Sequence, residues 1–277
     1  MVSLSCIVPA YNEDSVSDVV EGLKRVLSGL IDYEIIVVDD GSAKPVDIPS
    51  VTVLRHPRNM GYGSALKSGI LKAHGERILI VDSDCSYPLE SIPALLKVDA
   101  DMVVGARSAF SKSIPWTRKP AKMFLGMLAN YLSGVRIPDL NSGLRVFNRE
   151  RAMEFFHLFP RGFSFTTTIT LAFLSSDYTV EYVPIDYCPR KGKSKIRPIH
   201  DGLGFALLIV RTILYFNPLK VFLPISALMT LAAILVFVYT AFMEGRVMDI
   251  TVITLTLAAV QVALVGLLAD LIVKRAR

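Results

Sequence analysis

The sequence predicts an α/β domain with a mostly parallel sheet, followed by a stretch apolar enough to enter a membrane. Short β-rich runs alternate with helical stretches, acidic pairs follow two of those runs, and residues 218–273 are almost entirely apolar. The chain is 52% apolar and 20% charged, with a mean hydropathy of +0.47, whereas soluble domains are about 45–50% apolar and about a quarter charged. This composition argues against a disordered chain and against a purely soluble protein.

The N-terminal part of the chain contains the predicted strands and helices. Apolar residues at helical spacing predict helices over Asn12–Leu30 and Gly61–His74. Short runs rich in apolar and β-branched residues predict the strands Leu4–Val8, Tyr33–Val38, Val51–Leu54, Arg77–Val81 and Asp101–Gly105. Strands that alternate with helices form βαβ units, so a largely parallel sheet is expected.

Two acidic pairs stand at the ends of predicted strands, namely Asp39-Asp40 and Asp82-Ser83-Asp84. Ligand sites of open parallel sheets lie beyond the carboxyl ends of the strands. In an extended chain, residues i and i+2 share a face, so Asp82 and Asp84 can point at one object. Oxygen ligands suit Mg²⁺ or Mn²⁺ held jointly with substrate phosphates. The alternative is that these are ordinary turn residues, but the presence of two pairs favours a site.

Several enzyme classes lack support. The chain has no GxxxxGK[ST] loop, no GxSxG elbow and no HExxH motif, and the glycines of Gly61–Ala65 do not form a GxGxxG pattern. Cys6, Cys85 and Cys188 are scattered without a CxxC pair, so neither a disulfide framework nor a zinc site is indicated.

The net charge of +5 does not indicate a nucleic-acid partner. Basic residues flank the apolar C-terminal stretch, which the positive-inside bias and anionic lipid explain better. These residues are Arg190, Lys191, Lys193, Lys195, Arg197, Arg211, Lys220, Lys274, Arg275 and Arg277. We therefore expect contact with a lipid bilayer and no binding of nucleic acid.

Two uncharged runs predict membrane-spanning helices. Val221–Met243 and Ile250–Ala269 would extend about 35 Å and about 30 Å as helices. The alternative is a buried helical hairpin in a soluble core. Upstream, residues 200–217 predict a helix lying in the membrane interface, or else a core helix of the globular domain.

The expected organisation is a globular domain over residues 1–199, an interfacial helix over 200–217 and a two-helix hairpin over 218–273. The N-terminus lacks the basic and apolar regions of a signal peptide. Basic residues precede the first span and follow the second, so we expect an integral membrane protein whose globular domain and both termini are cytoplasmic.

Four motifs occur in order, namely Val8–Glu13, Val37–Ser42, Asn59–Gly63 and Asp82–Asp84. Together they resemble the family 2 inverting glycosyltransferases, whose fold is the Rossmann-like GT-A fold. Three further stretches, followed by two spans, resemble the polyprenyl-phosphate glycosyltransferases, the branch that contains dolichyl-phosphate mannose synthase and bacterial undecaprenyl-phosphate sugar synthases. These stretches are Pro138–Phe147, Arg190–Lys195 and Asn217–Phe222. The resemblance covers essentially the whole chain.

This resemblance implies metal-dependent, inverting transfer of a sugar from a UDP- or GDP-sugar to a polyprenyl phosphate at the cytoplasmic membrane face. It implies Mg²⁺ or Mn²⁺ on Asp82 and Asp84, and a catalytic set that adds Arg107, Arg118 and Lys122. The implied nucleotide-sugar contacts are Pro9, Ala10, Tyr11, Glu13, Asp39, Asp40, Ser83, Arg190, Lys193, Ser194 and Lys195. Some relatives are tetramers, so a homo-oligomer is expected. One departure is Ser86, where dolichyl-phosphate mannose synthases typically have glutamine.

The expected chemistry needs cations more than a base. A lipid monophosphate is already anionic near neutral pH and needs no ordinary general base, whereas two negative substrates must be brought together and the leaving nucleotide stabilised. Gly162–Thr170, where relatives with hydroxyl acceptors carry an acidic base, has threonines and no carboxylate.

Other interpretations remain open at this point. They are a processive polysaccharide synthase, whose QxxRW motif is absent, a non-catalytic membrane scaffold that retains the fold, and a nucleotidyltransferase. Arg145 is expected either to anchor Asp139 or to contact substrate.

Overall fold

The computed structural model of the protein describes residues 2–107, 126–131, 133–162, 164–186, 198–243 and 250–276. The chain forms two compact units, Met1–Ile209 and Val210–Arg277.

The first unit is built on a seven-stranded sheet with the order β3-β2-β1-β4-β6-β5-β7. The strands are β1 (Leu4–Ala10), β2 (Tyr33–Asp39), β3 (Thr52–Arg55), β4 (Arg77–Ile80), β5 (Met102–Arg107), β6 (Arg145–Asn148) and β7 (Val180–Ile185). β6 runs antiparallel to both of its neighbours, β4 and β5, and the remaining pairs are parallel. The mostly parallel sheet predicted from the sequence is therefore confirmed.

The central strands are buried on both faces. All seven residues of β1 are buried, as are the last five of β2. Strands covered on both faces need continuous apolar runs rather than alternation, which is why LSCIV and EIIVV are so recognisable in the sequence.

Helices cover the sheet. They are α1 (Val16–Leu27), α2 (Tyr62–Lys72), α3 (Ile92–Leu96), α4 (Arg149–Glu154) and α5 (Phe165–Ser175). The apolar residues of α1 recur every three or four positions and are buried, as predicted. The helix is shorter than the predicted Asn12–Leu30, because Asn12 and Gly29 have φ of +48° and +72°, which right-handed helix excludes.

Three long helices complete the chain: α6 (Pro198–Phe216), α7 (Leu219–Met243) and α8 (Ile250–Ala276). α6 covers the stretch for which an interfacial helix is predicted, and its place at a membrane stays a prediction. α7 and α8 contain apolar segments of 24 and 26 residues, long enough to cross a membrane. Only 6% and 11% of their most apolar windows are buried, unlike a helix in a soluble core. Both are candidate membrane spans.

The two candidate spans pack against each other through small and polar residues. The Ser226 hydroxyl donates to the Ala259 carbonyl at 2.8 Å. A Cβ on Gly266 would lie 2.5 Å from the Cβ of Phe222, so glycine permits this close approach. Small residues commonly mediate helix contacts of this kind in membranes.

Candidate active site

The sequence motifs meet at one edge of the sheet. Ala10 ends β1, Asp39 ends β2, Ile80 ends β4 two residues before Asp82, and Arg107 ends β5. These four strands run in the same direction. Their carboxyl ends therefore gather the motif residues where ligand sites of such sheets lie.

The Val8–Glu13 motif is joined by hydrogen bonds to the Val37–Ser42 motif and to the loop after it. Pro9 and Ala10 are buried within β1. The Asn12 N–H donates to the Ser42 hydroxyl at 2.9 Å, and the Ala43 N–H donates to Asn12 Oδ1 at 2.8 Å. These bonds fix the turn that follows β1.

The turn after β1 also contacts the loop of the second acidic pair. The Ser15 hydroxyl lies 2.8 Å both from a Glu13 carboxylate oxygen and from the carbonyl of Ser83. Tyr11 is 37% exposed on this turn. Tyr11 and Glu13 thus lie on a turn that is fixed to the Asp82–Asp84 loop, and the Tyr11 ring is open to solvent.

Asp39 shapes the loop after β2. Its buried carboxylate accepts hydrogen bonds from the Ser42 N–H at 2.9 Å and the Val46 N–H at 3.2 Å. Burial would raise the pKa of Asp39, but these hydrogen bonds and the nearby charge of Arg55 outweigh burial and lower it. The group is therefore a carboxylate that organises backbone.

Asp40 organises a second loop. Its carboxylate accepts from the backbone N–H groups of Met60 and Gly61 at 2.9 and 2.8 Å. It also lies 2.6 Å from His56 Nδ1, whose Nε2 lies 2.9 Å from the Ser68 hydroxyl. The structure thus assigns both Asp39 and Asp40 backbone partners within the protein, and their contact with a nucleotide stays a prediction.

The glycines of the third motif allow close backbone packing. Gly61 has φ of +100°, and a Cβ there would lie 2.6 Å from the Arg161 carbonyl oxygen. A Cβ on Gly63 would overlap the Pro160 carbonyl. The Ser64 N–H donates to Arg161 O at 3.0 Å. The start of α2 therefore sits directly on the 160–162 turn.

The acidic pair after β4 is held by two hydroxyl groups. The Tyr62 hydroxyl donates to Asp82 Oδ1 at 2.8 Å. The Ser86 hydroxyl and N–H both donate to Asp84 Oδ1, at 2.5 and 3.1 Å. Cys85 between them has φ of +53° and is exposed. Ser86, the departure noted in the sequence, is therefore a direct partner of Asp84.

Arg107 forms a two-pronged ion pair with Asp139. Its Nε and Nη2 donate to the two carboxylate oxygens at 2.7 and 2.8 Å, and its N–H donates at 3.2 Å. Burial would raise the pKa of Asp139, but hydrogen bonds and charge from Arg107 lower it. The side chain of Arg107 is 27% exposed, so its guanidinium is oriented by Asp139 and still reaches the surface.

Arg145 is not the hydrogen-bond partner of Asp139, and its contact with substrate stays a prediction. The partner of Asp139 is Arg107, and Arg145 is fully buried, with hydrogen bonds to Ser142, Thr166 and Thr170. A buried arginine is rare, and the sequence pattern around it gave no signal of burial. Tyr62, the partner of Asp82, was also missed as a site residue, although it stands inside the third motif.

Six predicted site residues lie outside the described residues. They are Arg118, Lys122, Arg190, Lys193, Ser194 and Lys195. Of the predicted cationic set, the described part of the chain places Arg107 alone at the site.

The acidic pair fits a metal as a partial donor set. Among the residues that the structure describes, no three His, Cys, Asp or Glu side chains come together. Asp82 and Asp84 supply hard oxygen donors, which suit Mg²⁺ or Mn²⁺, and these ions commonly keep substrate phosphates and water as further ligands. The residues therefore fit an ion that is shared with a diphosphate.

Two protein families match the chain. Residues 5–156 match "Glycosyl transferase family 2", and residues 217–274 match "GtrB C-terminal hairpin". A solved structure of similar fold is glucosyl-3-phosphoglycerate synthase from Mycobacterium tuberculosis, in complex with Mn²⁺, uridine diphosphate and glucosyl-3-phosphoglycerate. It aligns with a TM-score of 0.57 at 20% identity, covering 77% of this chain and 79% of that chain. The predicted GT-A fold is confirmed.

Curated relatives are similar over most of the chain. The low-salt glycan biosynthesis hexosyltransferase Agl6 of Haloferax volcanii is 28% identical over 72% of this chain, which spans only 51% of that relative. A dolichyl-phosphate beta-glucosyltransferase of Trichomonas vaginalis is 30% identical, covering 76% of this chain and 71% of the relative. A bactoprenol glucosyl transferase of Shigella phage SfV is 31% identical, covering 66% and 63%. With more than half of its residues matched by the family, the chain belongs to glycosyl transferase family 2.

Proposed function

We propose that this glycosyltransferase moves a sugar from a nucleotide sugar to a polyprenyl phosphate at a membrane, with inversion. The observation that carries the proposal is the combination of a family 2 site with a C-terminal hairpin of the GtrB type in one chain. A catalytic domain attached to two candidate spans suits an acceptor whose long tail stays in the bilayer while its phosphate reaches the site.

The names of the relatives support this acceptor class. They include dolichyl-phosphate glucosyltransferases and bactoprenol glucosyl transferases. A dolichyl-phosphate hexose transferase of Haloferax volcanii is 25% identical, and the match covers 94% of its length. Each of these names points to a hexose and a polyprenyl carrier, and neither the sugar nor the nucleotide is fixed by them.

The donor half of the mechanism belongs to the acidic pair. Tyr62 and Ser86 orient Asp82 and Asp84 before any substrate binds. Mg²⁺ or Mn²⁺ bound there would supply neutralisation of the leaving diphosphate. We expect the exposed Tyr11, and Glu13 on the same turn, to contact the base and ribose. Preorganised groups of this kind lower the barrier because they need not reorient during the reaction.

The acceptor half belongs to Arg107. Asp139 fixes its guanidinium with a two-pronged pair, and the planar fork of an oriented guanidinium matches the geometry of phosphate oxygens. The acceptor phosphate attacks as an anion and needs no proton removed. The stretch Gly162–Thr170, which has threonines and no carboxylate, is consistent with such an acceptor, and the Thr167 hydroxyl in it donates to Asn141 Oδ1 at 2.6 Å.

A transfer assay on the full chain in detergent or vesicles tests the proposal. Radiolabelled UDP- and GDP-sugars would be offered with Mg²⁺ or Mn²⁺ and undecaprenyl or dolichyl phosphate. We expect label in the lipid fraction from one donor, with loss upon chelation and in D84A.

The matched control is D14N, because Asp14 is an exposed acid that is adjacent to the first motif and outside the proposed site. D14N should transfer at the wild-type rate. Transfer from none of the donors by folded, lipid-reconstituted protein would contradict the proposed function, and transfer that survives both chelation and D84A would contradict the role of the metal.

A further inference from the structure

The loop between Asp139 and Arg145, here the 139–145 loop, touches both halves of the candidate site. Asp139 accepts three hydrogen bonds from Arg107, two from its guanidinium and one from its backbone N–H. Gly143 lies against the Asp82 carboxylate so closely that an added Cβ would overlap it. The loop is therefore a direct link between the acidic pair and the arginine.

Arg145 holds this loop from the interior. Its Nε and Nη2 both donate to the Ser142 carbonyl, at 3.1 and 2.5 Å. Its Nη1 donates to the Thr166 carbonyl at 3.1 Å and to Thr170 Oγ1 at 3.0 Å. One rigid guanidinium thus joins the loop to the first turns of α5.

The position of Arg145 in the sheet makes it central to both halves. It begins the reversed strand β6, where it pairs with Ile80 of β4 and Val104 of β5. These are the strands that lead to Asp82 and Arg107. The Ser142 hydroxyl also donates to the Gly105 carbonyl at 2.6 Å, which fixes the loop to β5.

A packing role alone does not explain the charge. Arg145 has 0% exposure, and its described hydrogen-bond partners are carbonyls, a hydroxyl and the Met102 sulfur rather than a carboxylate. The charge of Asp139 favours the cation, but no described hydrogen bond joins the two side chains. Burying a cation without a hydrogen-bonded anion is costly, and apolar residues of similar volume often pack as well. What arginine adds is a planar fork of donors that fixes several acceptors at set angles.

We propose that Arg145 is a positioning residue for sugar transfer, which fixes the 139–145 loop and thereby the placement of the Asp82–Asp84 pair relative to Arg107. This inference rests on the proposed function, in which the acidic pair faces the donor diphosphate and Arg107 faces the acceptor phosphate.

The test compares R145M and R145K with a matched control, R77M. Arg77 is half-buried at the amino end of β4, which is the end opposite the candidate site. Its Nη1 donates to the Leu96 carbonyl at 3.0 Å. The readouts are the transfer rate and backbone amide exchange by mass spectrometry, in peptides covering residues 82–86 and 139–144. Amide exchange needs neither substrate nor activity.

We expect R145M to speed exchange in both peptides by about tenfold or more and to lower kcat/KM by a similar factor, as expected when hydrogen bonds to a charged group are lost. R145K should recover part of both effects, because an ammonium can still donate to the Ser142 carbonyl. R77M should leave exchange in these two peptides unchanged.

Three outcomes would overturn the inference. The first is faster exchange in residues 139–144 while residues 82–86 exchange as in the wild type. The second is that R77M changes exchange and transfer as much as R145M does, and the third is that R145K and R145M both transfer sugar at the wild-type rate. If R145M does not fold, R145K decides by the same readouts. If the wild type transfers no sugar, the proposed function fails, while the exchange data still show whether Arg145 controls the acidic loop.

A double-mutant comparison separates positioning from general destabilisation. If Arg145 acts through the 139–145 loop, R145K should lower kcat/KM by a smaller factor in the D139N background than in the wild type. The reason is that D139N already weakens the connection between the loop and Arg107. Costs that simply multiply would show that the two residues act independently and would contradict the inference.

Discussion

At the scale of single residues, the candidate site is defined by hydroxyl groups that hold carboxylates. Ser86 stands where dolichyl-phosphate mannose synthases typically carry glutamine, and its short hydrogen bond to Asp84 gives it an orienting role. We therefore predict that S86A lowers kcat/KM about tenfold, because a hydrogen bond to a charged group contributes roughly 1.5–3 kcal/mol. Steady-state transfer kinetics, with the metal titrated, would measure this loss.

The matched control for S86A is S91A. The Ser91 hydroxyl also makes a short bond, 2.6 Å to the Pro88 carbonyl, but it does not touch a carboxylate. S91A should therefore keep wild-type kinetics. Equal rates for S86A and the wild type would show that Asp84 needs no hydroxyl partner.

Gly143 lies directly against the Asp82 carboxylate, so the acidic pair is sensitive to its substitution. A side chain there would displace the Asp82 carboxylate, and misplacing a catalytic group by about 1 Å can cost about 100-fold in rate. We predict a loss of about that size for G143A in the transfer assay. G126A is the control, since a Cβ at Gly126 would meet none of the described residues within 4 Å. A G143A enzyme within a few-fold of wild type would mean that Asp82 is not a constrained ligand.

The Arg107–Asp139 pair makes stability depend on pH. The pKa of Asp139 is lowered in the folded state, so its contribution is fully present above the unfolded pKa, about 3.9, and is lost as pH falls through the folded value. We predict that D139N lowers the melting temperature at pH 7, at a cost of about 2–3 kcal/mol. The difference from wild type should shrink below about pH 4. A gap that stays constant down to pH 3 would contradict this linkage.

At the scale of elements, the sequence predicted β1 to β5, and the clearest signals came from strands that are buried along their length. β1 and β2 are continuous apolar runs, and their acidic ends mark the carboxyl edge. β6 and β7 were missed. The reversal of β6 is set by pairing with β4 and β5, and such long-range contacts leave no local pattern. β7 is half-exposed and carries a proline and a glutamate, so its run is weak.

The candidate site was predicted only in part, because long-range contacts leave no local sequence pattern there either. Motif order located Asp82, Asp84 and Arg107 at strand ends. Their partners are Tyr62 at the start of α2 and Ser86 and Asp139 in loops, and these contacts depend on the assembled fold. The partner of Asp139 could not be read from the sequence, because Arg145 is nearer to it along the chain, whereas the guanidinium that binds it comes from Arg107 at the end of β5.

The contact between the start of α2 and the 160–162 turn leads to a prediction about stability. A Cβ on Gly63 would overlap the Pro160 carbonyl, and overpacking typically costs about 1–3 kcal/mol. We predict that G63A lowers the melting temperature, measured by fluorescence or calorimetry in detergent. G162A is the control, since no atom in the described part of the chain lies within 4 Å of its added Cβ. Equal melting temperatures for G63A and G162A would exclude a tight contact.

At the scale of the whole molecule, the candidate spans determine which side of the membrane each end faces. Two crossings return the chain to the side where it started. Lys220 begins the first candidate span, and Lys274 and Arg275 end the second, so basic residues mark the same end of the hairpin. The positive-inside bias assigns that end to the cytoplasm.

We therefore predict that the catalytic domain and the C-terminus face the cytoplasm and that residues 244–249 face the opposite side. In a C188S background, Cys85 is an exposed native reporter and Cys6 is buried. An impermeant maleimide should label Cys85 and K274C only in inside-out vesicles, and R246C only in right-side-out vesicles. Blocking Cys85 beforehand gives the control for K274C. Labelling of Cys85 and K274C from opposite faces would mean that the chain crosses the membrane an odd number of times between them. Labelling of all three cysteines from one face would mean that the hairpin lies on the membrane rather than across it.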